Sequence, residues 1–241
     1  MSALRGCFVT GTDTEIGKTS VSCGLLHTLG HAGLRAAGFK PVAAGASLVA
    51  GRWINDDVEA LRLAGSVPRH ASQVGAYLLR TPCAPHVAAR IDGVAISRER
   101  LLVAAHEAAH GADALVVEGV GGFRVPLGDD WDSADLAADL ALPVLLVVGL
   151  RLGCINHALL TAEAVRARGL RLAGWVANTV DPAMAEPQAN LETLEHWLAE
   201  GFGAPRLGFV PRLQEVTPQG VAAHLDRGAV LAALELHQPS V

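Results

Sequence analysis

Aromatic residues are few: five Phe, four Trp and one Tyr among 241 positions. Alanine and glycine are plentiful instead, which suits helices packed closely over a sheet. Cysteine is also scarce. Cys7, Cys23, Cys83 and Cys154 form no C-x-x-C pair and sit mostly in apolar or helical stretches. That argues against a disulfide or metal framework and for small buried residues in a reducing compartment. No apolar run reaches the roughly 20 residues of a membrane helix. The longest, residues 140–150, is interrupted by Pro143. Residues 1–5 carry no apolar signal core, so a soluble cytoplasmic protein with no membrane partner is expected. No block of like charge marks a basic arm, and a formal net charge of −5 argues against a nucleic-acid partner.

What is present suffices for one sizeable core: 51% of residues are hydrophobic, and a single α/β domain spanning residues 1–241 is the simplest expectation. Apolar runs alternate with amphipathic ones. The pattern predicts strands at residues 7–10, 36–42, 114–118, 144–150, 172–178 and 207–211, with a weaker one at 74–79. It predicts helices at 20–29, 56–64, 97–111 (Ser97 as N-cap), 132–142, 156–168, 186–200 and 220–235. Residues 43–54 read as a loop. This alternation implies a mostly parallel sheet with helices on both faces, whose ligands bind beyond the carboxyl ends of the strands.

One such end reads Gly11-Thr12-Asp13-Thr14-Glu15-Ile16-Gly17-Lys18-Thr19. Strand, Gly-containing loop, Lys-Thr and helix is the context of a phosphate-binding P-loop. Glycine lets the backbone approach an anion, and N–H groups at the helix start point at it. Lys18 is expected on the β- and γ-phosphates and Thr19 on Mg²⁺. Five residues separate Gly11 from Gly17, where four are usual.

A P-loop needs acids to complete the metal shell. Glu118 ends a continuous apolar run and precedes a Gly-rich turn, as a Walker-B acid would. Asp57 is the second candidate, although Asn55-Asp56-Asp57 also reads as a helix cap. Lys40, expected at the same sheet edge, would neutralise charge during phosphoryl transfer. A competing motif, His106-Glu107-Ala108-Ala109-His110, matches the H-E-x-x-H zinc signature. It lacks a third histidine at the extended spacing, and its helix leads into the next strand from the opposite sheet edge. A solvated helix face is the better reading.

Together these blocks resemble the dethiobiotin synthetase family. The resemblance rests on Gly11 to Thr19 with its extra residue, Phe39-Lys40-Pro41-Val42-Ala43-Ala44-Gly45, Val117-Glu118-Gly119-Val120-Gly121-Gly122, Leu152-Gly153-Cys154-Ile155-Asn156-His157-Ala158 and Gly174-Trp175-Val176-Ala177-Asn178. It implies a three-layer P-loop NTPase-type fold and an ATP- and Mg²⁺-dependent ligase of biotin synthesis. In that family 7,8-diaminononanoate and CO₂ form a carbamate that attacks the γ-phosphate, and the second amine closes the ring and expels phosphate. The family is a homodimer with substrate held at the subunit interface.

Carried onto this sequence, the resemblance implies that Glu15, Ile16, Gly17, Lys18, Thr19 and Ser20 wrap the phosphates. Thr19, Asp57 and Glu118 bind Mg²⁺, and Lys18 and Lys40 are catalytic. Glu118, Gly119, Val120 and Gly121 border the nucleotide, while Asn178, Thr179, Pro211, Arg212 and Leu213 face its base. Thr14, Lys40 and Ala44 contact the diamine end of the substrate. Gly153, Cys154, Ile155 and Asn156 cap its carboxylate from the partner subunit. Two positions depart from the family pattern: Ala44 stands where a serine often occurs, and Arg212 where an aromatic does. The open alternatives are a partition-type ATPase, which usually adds a lysine early in the loop, where Thr12 to Ile16 has none, and an amide-forming cobyrinate synthetase, which usually adds a glutaminase domain.

Overall fold

The computed structural model describes residues 3–237. Residues 1–2 and 238–241 of the expected 1–241 domain lie outside the described residues. A seven-stranded sheet forms the centre, in the order β5-β2-β6-β1-β7-β8-β9. Its strands are β1 (Gly6–Gly11), β2 (Ala36–Ala44), β5 (Gly75–Leu79), β6 (Ala114–Glu118), β7 (Val144–Leu150), β8 (Leu172–Thr179) and β9 (Arg206–Val210). Every neighbouring pair runs parallel. The chain leaves β1 on one side to build β2, β5 and β6, then crosses to β7 on the other. The end of β1 is therefore the switch point where such sheets hold ligands.

Helices cover both faces, and side-chain alternation along the strands assigns each residue to one. On β7, Val144, Leu146, Val148 and Leu150 pack with α5 (Arg98–Ala109), α6 (Ser133–Leu140), α7 (Cys154–Ala167) and α8 (Pro187–Phe202). Leu145 and Val147 pack with α1 (Lys18–His31), α2 (Asp56–Ala64), α9 (Pro218–Ala222) and α10 (Arg227–Ala233). A strand buried on both faces must read as a continuous apolar run, which is why these strands were legible. The scarcity of aromatics has a structural counterpart. At Gly24 of α1 a Cβ would stand 2.6 Å from Val221 Cγ1, so α1 and α9 approach closely because nothing larger intervenes.

Several expectations are corrected. Residues 43–54 are not a loop throughout. Ala43 and Ala44 finish β2, and β3 (Ser47–Val49) pairs antiparallel with β4 (Arg52–Ile54). Their turn, Ala50-Gly51, holds both residues at positive φ (49° and 80°), the geometry two-residue hairpins favour. Its composition lacks the Asn-Gly or Asp-Gly signal that announces such turns. Residues 66–85 contain α3 (Ala71–Val74) before β5, and α4 (Pro85–Asp92) was not foreseen. The segment 220–235 is broken into α9 and α10, with Asp226 capping the second and Leu225 bridged to Gly208 between them. Pro211 lies beyond β9. The helix expected at 156–168 begins at Cys154, and that expected at 20–29 begins at Lys18, both after glycines in left-handed conformation (Gly153, φ 95°; Gly17, φ 87°).

Candidate active site

Between β1 and α1 the loop is anchored from below. Thr12 N donates to Val147 O at 3.0 Å, Gly149 N donates to Thr12 Oγ1 at 3.3 Å, and Asn178 Nδ2 donates to Ile16 O at 2.9 Å. Glu15 takes a left-handed φ of 58°, and Ile16 turns its side chain into the core, where it is 1% exposed. Ile16 rests on Gly149: a Cβ there would lie 2.6 Å from Ile16 Cγ2. Overpacking of this kind costs about 1–3 kcal/mol. Gly149→Ala is therefore expected to lift the loop and raise KM for ATP about tenfold, with kcat changed less; an unchanged KM in steady-state assays would show the loop indifferent to its support.

Lys18 is buried and its Nζ donates to Asp13 O at 2.6 Å. Burial, aided by the charge of Lys40, pushes its ammonium down to about 8, against the opposing pull of Glu118, Asp57 and Asp13. A buried cation with no carboxylate in contact is an unmet demand for an anion. Asp13 is held below the usual carboxylate range, first by the Thr14 backbone N–H at 2.7 Å, with Arg151 adding to it. This Asp13–Arg151 ion pair ties the loop to the segment that opens α7 and was not foreseen.

Four side chains from four elements meet beside the loop. Thr19 Oγ1 of α1 lies 2.9 Å from Asp57 Oδ1 and 2.8 Å from Glu118 Oε1. Lys40 Nζ donates to Asp57 Oδ2 at 2.7 Å and to Glu118 Oε1 at 2.5 Å. Lys40 and Glu118 follow the last paired positions, Phe39↔Val117, on adjacent parallel strands and so stand side by side; Pro41 comes after the ladder with β6 has ended. The cap of α2 is Asn55, whose Oδ1 accepts from Asp57 N and Val58 N. Asp57 is thereby free to turn its carboxylate to Lys40 and Thr19. Burial alone would raise the Asp57 carboxyl, but Lys40 and Thr19 outweigh it and hold it below the usual range. Burial would likewise lower Lys40, yet Glu118 and Asp57 hold it above the ordinary lysine value.

The donor set fits a hard divalent cation. Thr19 has one hydroxyl proton and two carboxylate oxygens at contact distance, so it can satisfy only one of them. Glu118 is 0% exposed, and its Oε2 has no hydrogen-bond partner. Oxygen donors of this kind, two of them carboxylates, suit Mg²⁺.

A cleft of about 760 Å³ opens over this cluster. Of the residues singled out from sequence, Thr14, Glu15, Gly17, Lys18, Thr19, Lys40, Ala44, Asp57, Glu118, Val120 and Gly121 line it. Ile16 does not, because its side chain is in the core. Ser20 and Gly119 do not line it, and Gly119 donates its N–H to Val9 O. Asn178 supports the loop from the β8 side. Thr179, Pro211, Arg212 and Leu213 lie along that side too, outside the cleft. Gly153, Cys154, Ile155 and Asn156 are also outside it. The Cys154 side chain is buried in the core, so this segment can offer a ligand only backbone N–H groups and the exposed Asn156. The opposite wall, Pro82, Cys83, Ala84 and Pro85, was missed. Pro85 at the first position of α4 was the available signal, since proline favours helix starts.

The H-E-x-x-H segment lies at the other sheet edge, around a separate cavity with Arg5 and Asp113. Its helix ends at Ala109 and His110 is the C-cap, with φ −57° and ψ 122°. Among the described residues, no group of three or more His, Cys, Asp or Glu side chains there could hold a metal ion. Among the described residues, no helix is long and apolar enough to cross a membrane.

A family model described as an AAA domain matches residues 5–220. The ATP-dependent dethiobiotin synthetase BioD of Aromatoleum aromaticum is 53% identical over 225 residues, 93% of this chain and 98% of that protein. Among solved structures, the MinC:MinD cell division protein complex of Aquifex aeolicus matches with a TM-score of 0.55 at 14% identity, over 96% of this chain and 94% of that one. A ParA family ATPase from Chlorobium tepidum matches with a TM-score of 0.53 at 12% identity, over 98% and 94%. These two likenesses speak for the P-loop NTPase fold alone. The near full-length sequence identity reaches further: the chain belongs to the dethiobiotin synthetase family.

Proposed function

We infer that this chain catalyses the ATP- and Mg²⁺-dependent carboxylation and ring closure of 7,8-diaminononanoate with CO₂ to dethiobiotin, giving ADP and phosphate, in biotin synthesis. The observation that carries the reading is the convergence of two buried lysines, two carboxylates and a P-loop threonine in one cleft, within a chain of this family. Lys18 binds the β- and γ-phosphates with the loop N–H groups. Thr19, Asp57 and Glu118 would hold Mg²⁺, which supplies charge neutralisation at the phosphates. Lys40, which lines the same cleft between the two carboxylates, stabilises charge on the carbamate and on the transferring phosphoryl. Thr14 and the Pro82–Pro85 wall position the diamine end, where Ala44 offers a methyl and no hydrogen bond. Asn178 and Thr179, with Pro211, Arg212 and Leu213, border the base. The test is to incubate the protein with diaminononanoate, bicarbonate, Mg²⁺ and ATP. Dethiobiotin by mass spectrometry with stoichiometric ADP is expected; ADP without dethiobiotin would replace the ligase by a partition-type ATPase.

The substrate's acid end needs an anion site several bonds away, and the reading includes a homodimer that supplies it. Residues Gly153 to Asn156 begin α7, whose first-turn N–H groups suit a carboxylate. Leu152 and Leu160 beside them are 92% and 56% exposed, an apolar surface suited to a second copy. Subunit mixing tests this. Lys18→Ala subunits are combined with Asn156→Asp subunits, which place a like charge at the acid end without straining Gly153. Activity returning on subunit exchange is expected, because one site of each hybrid is intact. Hybrids that form and stay as inactive as the parents would rule out shared sites. The free thiols among the described residues are in keeping with a cytoplasmic setting.

A further inference from the structure

The carboxylates assigned to the metal are already paired with a cation of the chain itself. Lys40 Nζ touches Asp57 Oδ2 and Glu118 Oε1 at 2.7 and 2.5 Å, and it is 3% exposed. Glu118 Oε1 is also the oxygen that meets Thr19. A divalent ion bound to the same carboxylates would bring two cations onto one carboxylate pair. Their repulsion in this buried setting is strong, because little solvent screens it. Lys40 has somewhere to go: it lines the cleft, on the side where a phosphate or carbamate would offer it a new anion.

We propose that Lys40 competes with the divalent cation for Asp57 and Glu118, so that metal binds tightly only when an anionic ligand in the cleft draws the Lys40 ammonium away. The inference rests on the metal-site reading above and deepens it. Metal and nucleotide are then positively coupled through one side chain, and the coupling is reciprocal: each ligand tightens the other by the same factor. The coupling also has a chemical use. Lys40 is released toward the reacting groups only when the charge it must neutralise has arrived, and until then the buried Glu118 and the half-exposed Asp57 stay compensated.

The experiment measures Mn²⁺ binding to nucleotide-free protein by electron paramagnetic resonance, then repeats it with the β,γ-imido analogue of ATP. Wild type is expected to bind Mn²⁺ weakly alone and much more tightly with the analogue. Lys40→Met is expected to bind Mn²⁺ about tenfold or more tighter than wild type without nucleotide, and to gain correspondingly less from the analogue. Lys40→Gln, which keeps hydrogen bonds to both carboxylates but not the charge, is expected to do the same and serves if the methionine variant does not fold without metal. Mn²⁺ affinity equal to or weaker than wild type in the folded variants overturns the competition. Glu118→Gln separates the two readings. If it loses Mn²⁺ while the Lys40 variants bind like wild type, the metal site stands and the competition fails. If it binds Mn²⁺ like wild type, the metal-site reading fails and the competition with it.

Discussion

Lys18→Ala is expected to lower turnover by about 10³-fold or more while leaving the fold intact. The size follows from removing a fixed, buried charge that would act on the transferring phosphoryl in the cleft. The separation of activity from stability follows from what Lys18 touches. Its ammonium meets only the Asp13 carbonyl, and burial already disfavours its charged form. Replacing it removes a desolvated charge and leaves no carboxylate unpaired, so the melting midpoint should stay near that of the parent. Single-turnover assays with saturating ATP would show the loss in the chemical step, and calorimetry would show it in nucleotide affinity. Near-normal turnover would sink the assignment of this loop.

Glu118→Ala should behave differently, losing stability and activity together. Glu118 is fully buried, and its carboxylate is the inner partner of Lys40. Breaking a buried ion pair from one side costs about 3–5 kcal/mol. The low end applies here, because Asp57 remains on Lys40. About 3 kcal/mol corresponds to a melting midpoint lower by roughly 6–12 °C for a chain of this size. The same change removes a carboxylate that would hold Mg²⁺ in the proposed site, so activity should not return at high Mg²⁺. Asp57→Ala is the internal comparison. Its side chain is 41% exposed, so it should cost less stability and shift the Mg²⁺ requirement upward. Urea denaturation without ligand and Mg²⁺ titration of activity measure the two effects. Parental stability in Glu118→Ala would mean that Lys40 is not held as described, and an Mg²⁺ titration of Asp57→Ala like the parent's would remove Asp57 from the metal shell.

The two variants illustrate where the site was legible. Lys18 stands in a local pattern, strand then glycine loop then helix, and its role could be expected from neighbours in sequence. Glu118 was legible as the acid ending an apolar run. Asp57 was not settled by its surroundings, because Asn55-Asp56-Asp57 contains several residues able to cap α2. The choice was made when Asn55 took the cap and left Asp57 to face Lys40 and Thr19. The Pro82–Pro85 wall was passed over as turn residues because nothing within it carries charge. The 43–54 segment was read as a loop because Ala50 and Gly51 form a hairpin turn without the residues that usually mark one.

By itself the sequence determined the alternation of strands and helices, the parallel sheet and the phosphate loop. These depend on periodicity and on contacts within a few residues, so a linear reading captures them. Only the tertiary structure decided that the Thr19 hydroxyl meets carboxylates 38 and 99 positions away, and that Lys40 sits between those carboxylates instead of in solvent. It also decided that Ile16 is a support and not a wall, and that Cys154 faces the core. The physical reason is that burial and charge pairing belong to the closed sheet. They arise when β2 pairs with β6 and α1 lies across them, and no local stretch of the chain carries that information.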